Sequence, residues 1–141
     1  MDPVQKFTII IFKLPDGNLV LQRRSDDAPY GAGLLGIFGG WVEENETPEQ
    51  CLVRELREET SLNTDKLPVT FLVDFIIPAG EDYVDDRHFY LFEAPLENLD
   101  FKVYEGKHAE SHSLEDIKQR TDLTGSADFV FKYIYPLRIT Q

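Results

Sequence analysis

The chain has 141 residues, and 26 acidic side chains against 14 Lys plus Arg give it a formal net charge of −12 at pH 7. Hydrophobic residues at 42% and aromatics at 12% describe a globular chain and exclude a disordered or fibrous one. The length suits one domain spanning 1–141, and the charge repels duplex nucleic acid, while a small anionic substrate needs local cations.

The opening stretch, MDPVQKFTIIIFKLPDG, has no basic run, and its apolar segment is too short for a signal or a membrane span. Cys51 is the only cysteine, so no intramolecular disulfide or thiolate zinc site can form. We therefore expect a soluble, reduced, cytoplasmic protein with no membrane partner.

Phe7 to Phe12 is a continuous β-branched and aromatic run that reads as a strand buried on both faces. Pro15-Asp16-Gly17-Asn18 is a turn, and Leu19 to Leu21 returns as the hairpin partner. Gly31 to Gly40 reads as a glycine-rich loop feeding a short strand. A helix follows, with Thr47 as N-cap, Pro48 at the first helical position and Gln50 completing a capping box. Leu52, Val53 and Leu56 form its apolar stripe, and it ends near Thr60 or Ser61. Phe71 to Ile77 and Tyr83 to Glu93 read as strands around a turn, and Phe101 to Tyr104 as a short strand. Phe129 to Tyr135 suits a helix started by a Ser126 cap and stopped by Pro136. Together these elements indicate a mixed sheet covered by helices.

The first helix carries a physical conflict. Glu55, Glu58 and Glu59 share one side at its C-terminal end, where like charges repel and the helix dipole disfavours anions. Three hard carboxylate ligands on one face suit a divalent cation such as Mg²⁺, which would turn the repulsion into coordination. Arg54 can pair with Glu46 or orient a glutamate, and Gly39 and Gly40 permit close approach of a ligand to the backbone.

The spacing Gly40, five residues, Glu46, seven residues, then Arg54-Glu55-Leu56-x-Glu58-Glu59 closely resembles the Nudix box of the Nudix hydrolases. A chance match at those seven positions is on the order of 10⁻⁸ per starting point. Ser61 stands where the pattern has glycine, and Leu62 fits. The hairpin from Phe12 to Arg24, the GLLGIFGGW approach and Tyr104-Glu-Gly106 through Ser113-Leu-Glu-Asp116 extend the resemblance over most of the chain. It implies an α/β/α sandwich with a mixed sheet, and Glu55, Glu58 and Glu59 as metal ligands joined by the Gly40 carbonyl. It also implies that Glu46 and Arg54 support the site. By the same resemblance Glu105 is a further metal ligand or the general base, with Glu110 the alternative position.

Arg23 and Arg24 are candidates for holding a phosphate beside Gly39 and Gly40. Tyr30, Trp41, Tyr83 and Phe89 can stack on a base or fill the core. His88, His108 and His112 lack compact ligand spacing, and Asp82, Asp85 and Asp86 form a solvated acidic turn. The function expected is a Mg²⁺-dependent hydrolase, with Mn²⁺ a possible substitute, cleaving the diphosphate linkage of a nucleoside diphosphate joined to another moiety, such as a nucleotide or a sugar. The competing reading is a catalytically silent nucleotide-sensing module, favoured only by Ser61; an isomerase acting on prenyl diphosphates lacks a well-placed cysteine. The chain is expected to be a monomer or homodimer.

Overall fold

The computed structural model describes residues 4–80 and 85–139, with side chains up to 138. The central strand is β1 (Gln5–Lys13), whose apolar run alternates between two cores. Phe7, Ile9 and Ile11 belong to one cluster, and Ile10 and Phe12 to the other. A strand buried on both faces needs helices on both faces, and the chain supplies them.

On one edge β1 runs parallel to β6 (Arg87–Pro95) from Gln5↔Arg87 to Lys13↔Pro95, and β5 (Thr70–Ile77) pairs antiparallel with β6. On its other edge β1 is shared. Its end forms the hairpin with β2 (Leu19–Arg23), while Phe7 to Ile10 pair with β4 (Phe38–Trp41). The two-residue β3 (Leu35–Gly36) pairs with β2, and so does β7 (His108–His112) along its whole length. The sheet is thus mixed and seven-stranded.

The helix α1 (Pro48–Glu59) covers one face, burying Leu52 and Leu56 against Ile10, Phe12, Phe38 and Phe92. Its start follows the local chemistry of the sequence: Thr47 Oγ1 accepts from Gln50 N–H at 3.1 Å, and Gln50 Oε1 accepts from Thr47 N–H at 2.9 Å. A 3₁₀ turn (Thr64–Lys66) follows. The opposite face is covered by α2 (Leu114–Gln119), α3 (Gly125–Phe129), a π-helical turn (Val130–Ile134) and α4 (Tyr135–Ile139). Ile117, Ala127, Val130, Phe131 and Tyr135 pack there on Ile9, Ile11, Leu21 and Leu91. The result is the expected α/β/α sandwich.

Several local expectations need correction. The terminal helix is capped by Thr124, not Ser126, and it passes through Pro136. The π turn, closed by Tyr135 N–H to the Val130 carbonyl, widens the helix just before the proline ring, which would otherwise clash with the preceding turn. Phe101 to Tyr104 forms no strand but a single antiparallel bridge, Thr60↔Val103. HAESH, which has no apolar alternation, becomes β7 because it covers the free edge of β2. The strand expected from Tyr83 begins at Arg87; Tyr83, Val84 and Asp82 lie outside the described residues.

Candidate active site

The site forms where the β3–β4 segment, the tail of α1 and the loop before β7 meet. Gly39 has φ +151°, and a Cβ there would lie 1.9 Å from the Thr8 carbonyl oxygen, so only glycine fits against β1. At Gly40 a Cβ would fall 2.2 Å from Glu55 Cδ. The Glu55 carboxyl therefore lies flat over the space that a side chain at 40 would fill.

Arg54 resolves part of the charge conflict on the helix. Its Nε and Nη2 hold Glu46 bidentately at 2.8 and 3.0 Å, and Nη2 also donates to the Trp41 carbonyl at 2.9 Å. Its Nη1 donates to Glu55 at 2.9 Å and Glu58 at 3.4 Å. Hydrogen bonds from Arg54 and from the Glu43 amide hold the Glu46 carboxyl down at about 2. Glu46 thus braces the arginine, and the arginine braces the loop and two of the helix carboxylates.

Glu59 has no such relief. It is 4% exposed, and its Oε2 is buried without a hydrogen-bond partner, while the Gly39 amide donates to the carboxyl. Burial, then the nearby charges of Glu55 and Glu105, push it up to about 9. Burial raises Glu55 as well, against the pull of Arg54. A carboxylate oxygen left unpaired in the interior calls for a cation or a proton.

The carboxylates do not form a closed cage. Among the described residues no group of three or more His, Cys, Asp or Glu stands ready to hold a metal. Glu55 and Glu59 converge, and Glu105 adds its charge from the exposed loop; the Glu58 side chain is 53% exposed and, among the described residues, held only by Arg54. The donor set still suits a hard divalent cation: a buried unpartnered carboxylate oxygen with two further carboxylates beside it. The thiol of Cys51 is buried, accepting from Thr8 Oγ1 at 3.2 Å and donating to the Trp41 carbonyl at 3.1 Å, and burial raises it to about 11.

A cleft of about 290 Å³ opens beside these groups, lined by Gln22, Arg24, Ser25, Pro29, Glu59 and Glu105 among others. The two candidate arginines part ways here. Arg24 lines the cleft, with Nε donating to the Tyr30 carbonyl at 2.7 Å. Arg23 is drawn away from it. Its guanidinium holds Glu110 bidentately at 2.6 and 2.9 Å and reaches Asp122 at 3.0 Å and the Gly33 carbonyl at 3.1 Å. Glu110 is thereby taken into the same network, which His108 at 2.7 Å and His112 at 3.0 Å complete. Their joint hydrogen bonds, Arg23 foremost, lower Glu110 to about 2.

Of the aromatic candidates, Phe89 is core, stacked between Phe7 and Phe75, whereas Trp41 and Tyr30 are exposed. His88 pairs with Asp74 at 2.7 Å. Asp85 and Asp86 are exposed as expected, and Asp86 accepts from the Ala79 amide. Sequence reasoning missed Gln22, buried on β2, whose amide donates to the Glu105 carbonyl. Its signal was a polar residue inside an otherwise apolar strand.

The NUDIX domain family profile matches residues 4–133. The chain belongs to that family. A NUDIX domain generally uses a divalent metal, in keeping with the oxygen-rich site. The chain is 32% identical over 82 residues to the 8-oxo-dGTP diphosphatase of Escherichia coli strain K12, covering 58% of this chain and 57% of that protein. It spans only 33% to 57% of the length of the curated relatives it matches. Among solved structures it resembles the MutT protein from Methanosarcina mazei Go1, with TM-score 0.78, 20% identity and 96% of each chain covered. It also resembles the NUDIX domain of Shewanella oneidensis NrtR complexed with ADP ribose, with TM-score 0.73, 17% identity and 99% and 90% of the chains covered. No described helix is long and apolar enough to cross a membrane.

Proposed function

We propose that this NUDIX domain is a divalent-metal-dependent hydrolase. It would cleave a phosphoric anhydride bond in a nucleoside diphosphate joined to another group, with Mg²⁺ as the working ion and Mn²⁺ able to replace it. The observation that carries the reading is the buried, unpartnered Oε2 of Glu59 in the wall of a cleft that Arg24 also lines. Glu55, Glu59 and Glu105 would hold the ion. Glu58 would join by turning inward from its 3.4 Å contact with Arg54, and the Gly40 carbonyl would add a further oxygen.

When bound, the cation screens phosphate charge, polarises a phosphoryl oxygen and lowers the pKa of water. Arg24 offers its remaining N–H groups to phosphate oxygens, supplying the local cation that a −12 chain must provide for an anionic substrate. Glu55 or Glu105 accepts a proton from the attacking water. Having no side chains, Gly39 lets β4 lie against the Thr8 carbonyl of β1, and Gly40 leaves the space in which the Glu55 carboxyl is held for the ion. The name of the E. coli relative supports a nucleoside triphosphate as one member of the substrate class. The silent-module reading rested on Ser61, whose place in the structure has its own explanation below.

The experiment is a substrate panel with Mg²⁺: nucleoside triphosphates including oxidised purines, nucleotide sugars, ADP-ribose and dinucleotides, with products resolved by chromatography. On the substrate so found, Glu59→Gln and Glu58→Gln should each lower turnover on the order of a hundredfold or more while the fold melts cooperatively. Wild-type turnover by both variants would overturn the reading.

A further inference from the structure

Ser61 is where this chain departs from the family box, and its surroundings give the departure a use. No positive φ occurs at the end of α1; among the described non-glycine residues only Asn45 has one. Thr60 leaves the helix in extended geometry, with φ −140°. The chain then runs as a short ladder beside the 101–105 segment. Ser61 N–H donates to the Lys102 carbonyl at 3.0 Å, and Lys102 N–H donates back to Ser61 Oγ at 2.8 Å. Thr60 bridges Val103, and Tyr104 N–H donates to the Glu59 carbonyl at 2.6 Å.

The other side of Glu105 is fastened to β2. Its own carbonyl accepts from the Gln22 amide, and Lys107 N–H donates to the Arg23 carbonyl at 2.9 Å. Gly106, at φ +94°, lies so close that a Cβ would meet the Arg23 carbonyl oxygen at 2.9 Å. Glu105 therefore sits at the middle of a short span between the two cleft walls. Of the two bonds between Ser61 and this span, the one to Oγ alone would be lost with glycine at 61.

We propose that Ser61 is a positioning residue for Glu105: its hydroxyl fixes the 102–104 backbone against the tail of α1 and so holds the loop carboxylate at the cleft beside Glu59. The inference rests on the hydrolase reading and deepens it. Glycine at 61 keeps the backbone bond and loses the hydroxyl acceptor, which frees Lys102 N–H to solvent and loosens the span on one side.

The test compares wild type with Ser61→Gly, Ser61→Ala, Ser61→Thr, Glu105→Gln and the Ser61→Gly/Glu105→Gln double variant. It reads kcat and KM on the substrate found by the panel, and Mn²⁺ affinity by calorimetry without substrate. Ser61→Gly and Ser61→Ala should lower kcat about three- to tenfold, weaken Mn²⁺ binding by a similar factor, and leave nucleotide KM within about twofold. Ser61→Thr, which keeps a hydroxyl, should restore both. In the Glu105→Gln background Ser61→Gly should have no further effect. Unchanged kcat and Mn²⁺ affinity in Ser61→Gly, or losses that multiply with an impaired Glu105→Gln, would overturn the role of Ser61 alone. Wild-type turnover and metal affinity in Glu105→Gln would instead overturn the part given to Glu105, and this inference with it.

Discussion

Glu59 is the residue on which the site's energetics turn. A surface carboxyl is ionised at neutral pH, but this one is buried beside two other carboxyls and is pushed up to about 9. An acid whose pKa rises on folding binds its proton more tightly in the native state. Stability in chelator should therefore fall as pH rises from about 4.5 to about 9. Glu59→Gln should remove that part of the decline, and adding Mg²⁺ should raise the melting temperature more near pH 8.5 than near pH 5. Thermal melts of the two proteins across pH, with and without Mg²⁺, check this; parallel curves for wild type and Glu59→Gln would contradict it. The identity of this carboxyl was legible in the sequence from its spacing in the box. Its burial was not, because the three helix glutamates look alike until the Gly39 amide meets one of them while Glu58 stays exposed.

Among the elements, α1 was the most legible, since its N-cap, first-turn proline and capping box are local and appear in the structure as read. Elements defined by tertiary contact were not. The strand β7 has a polar sequence, and it is held by pairing with β2 and by the Arg23–Glu110 contact across the two strands. The helix through Pro136 depends on a π turn that no residue pattern announces. Arg23, the last residue of β2, and Arg24 just after it make the same point, because the alternation of an extended chain sends them to opposite surroundings. Arg23→Ala breaks a network with Glu110 and Asp122 and should cost about 1–3 kcal/mol in urea denaturation, with substrate KM little changed. Arg24→Ala should leave stability within about 1 kcal/mol and raise KM instead. An Arg23 variant with native stability and a raised KM would reverse these assignments.

At the scale of the molecule, the division of β1 into two faces explains why helices flank the sheet. That much follows from one buried strand and two amphipathic helical regions. The convergence of Gly39 and Gly40, Glu55 and Glu59, and Glu105, from three separated stretches, was implied by the family resemblance and by no local residue pattern. It depends on β4 pairing with β1, on α1 packing over both, and on Tyr104 N–H meeting the Glu59 carbonyl. The net charge of −12 gives the molecule a long-range field that attracts cations and disfavours anions, so in the proposed function a metal and Arg24 would together admit the substrate. The most direct test of this account is anomalous diffraction from crystals soaked in Mn²⁺. A peak between the Glu55 and Glu59 carboxylates, lost in Glu59→Gln, is the result required. Full Mn²⁺ occupancy elsewhere, with those two carboxylates still facing each other and no ion between them, would contradict it.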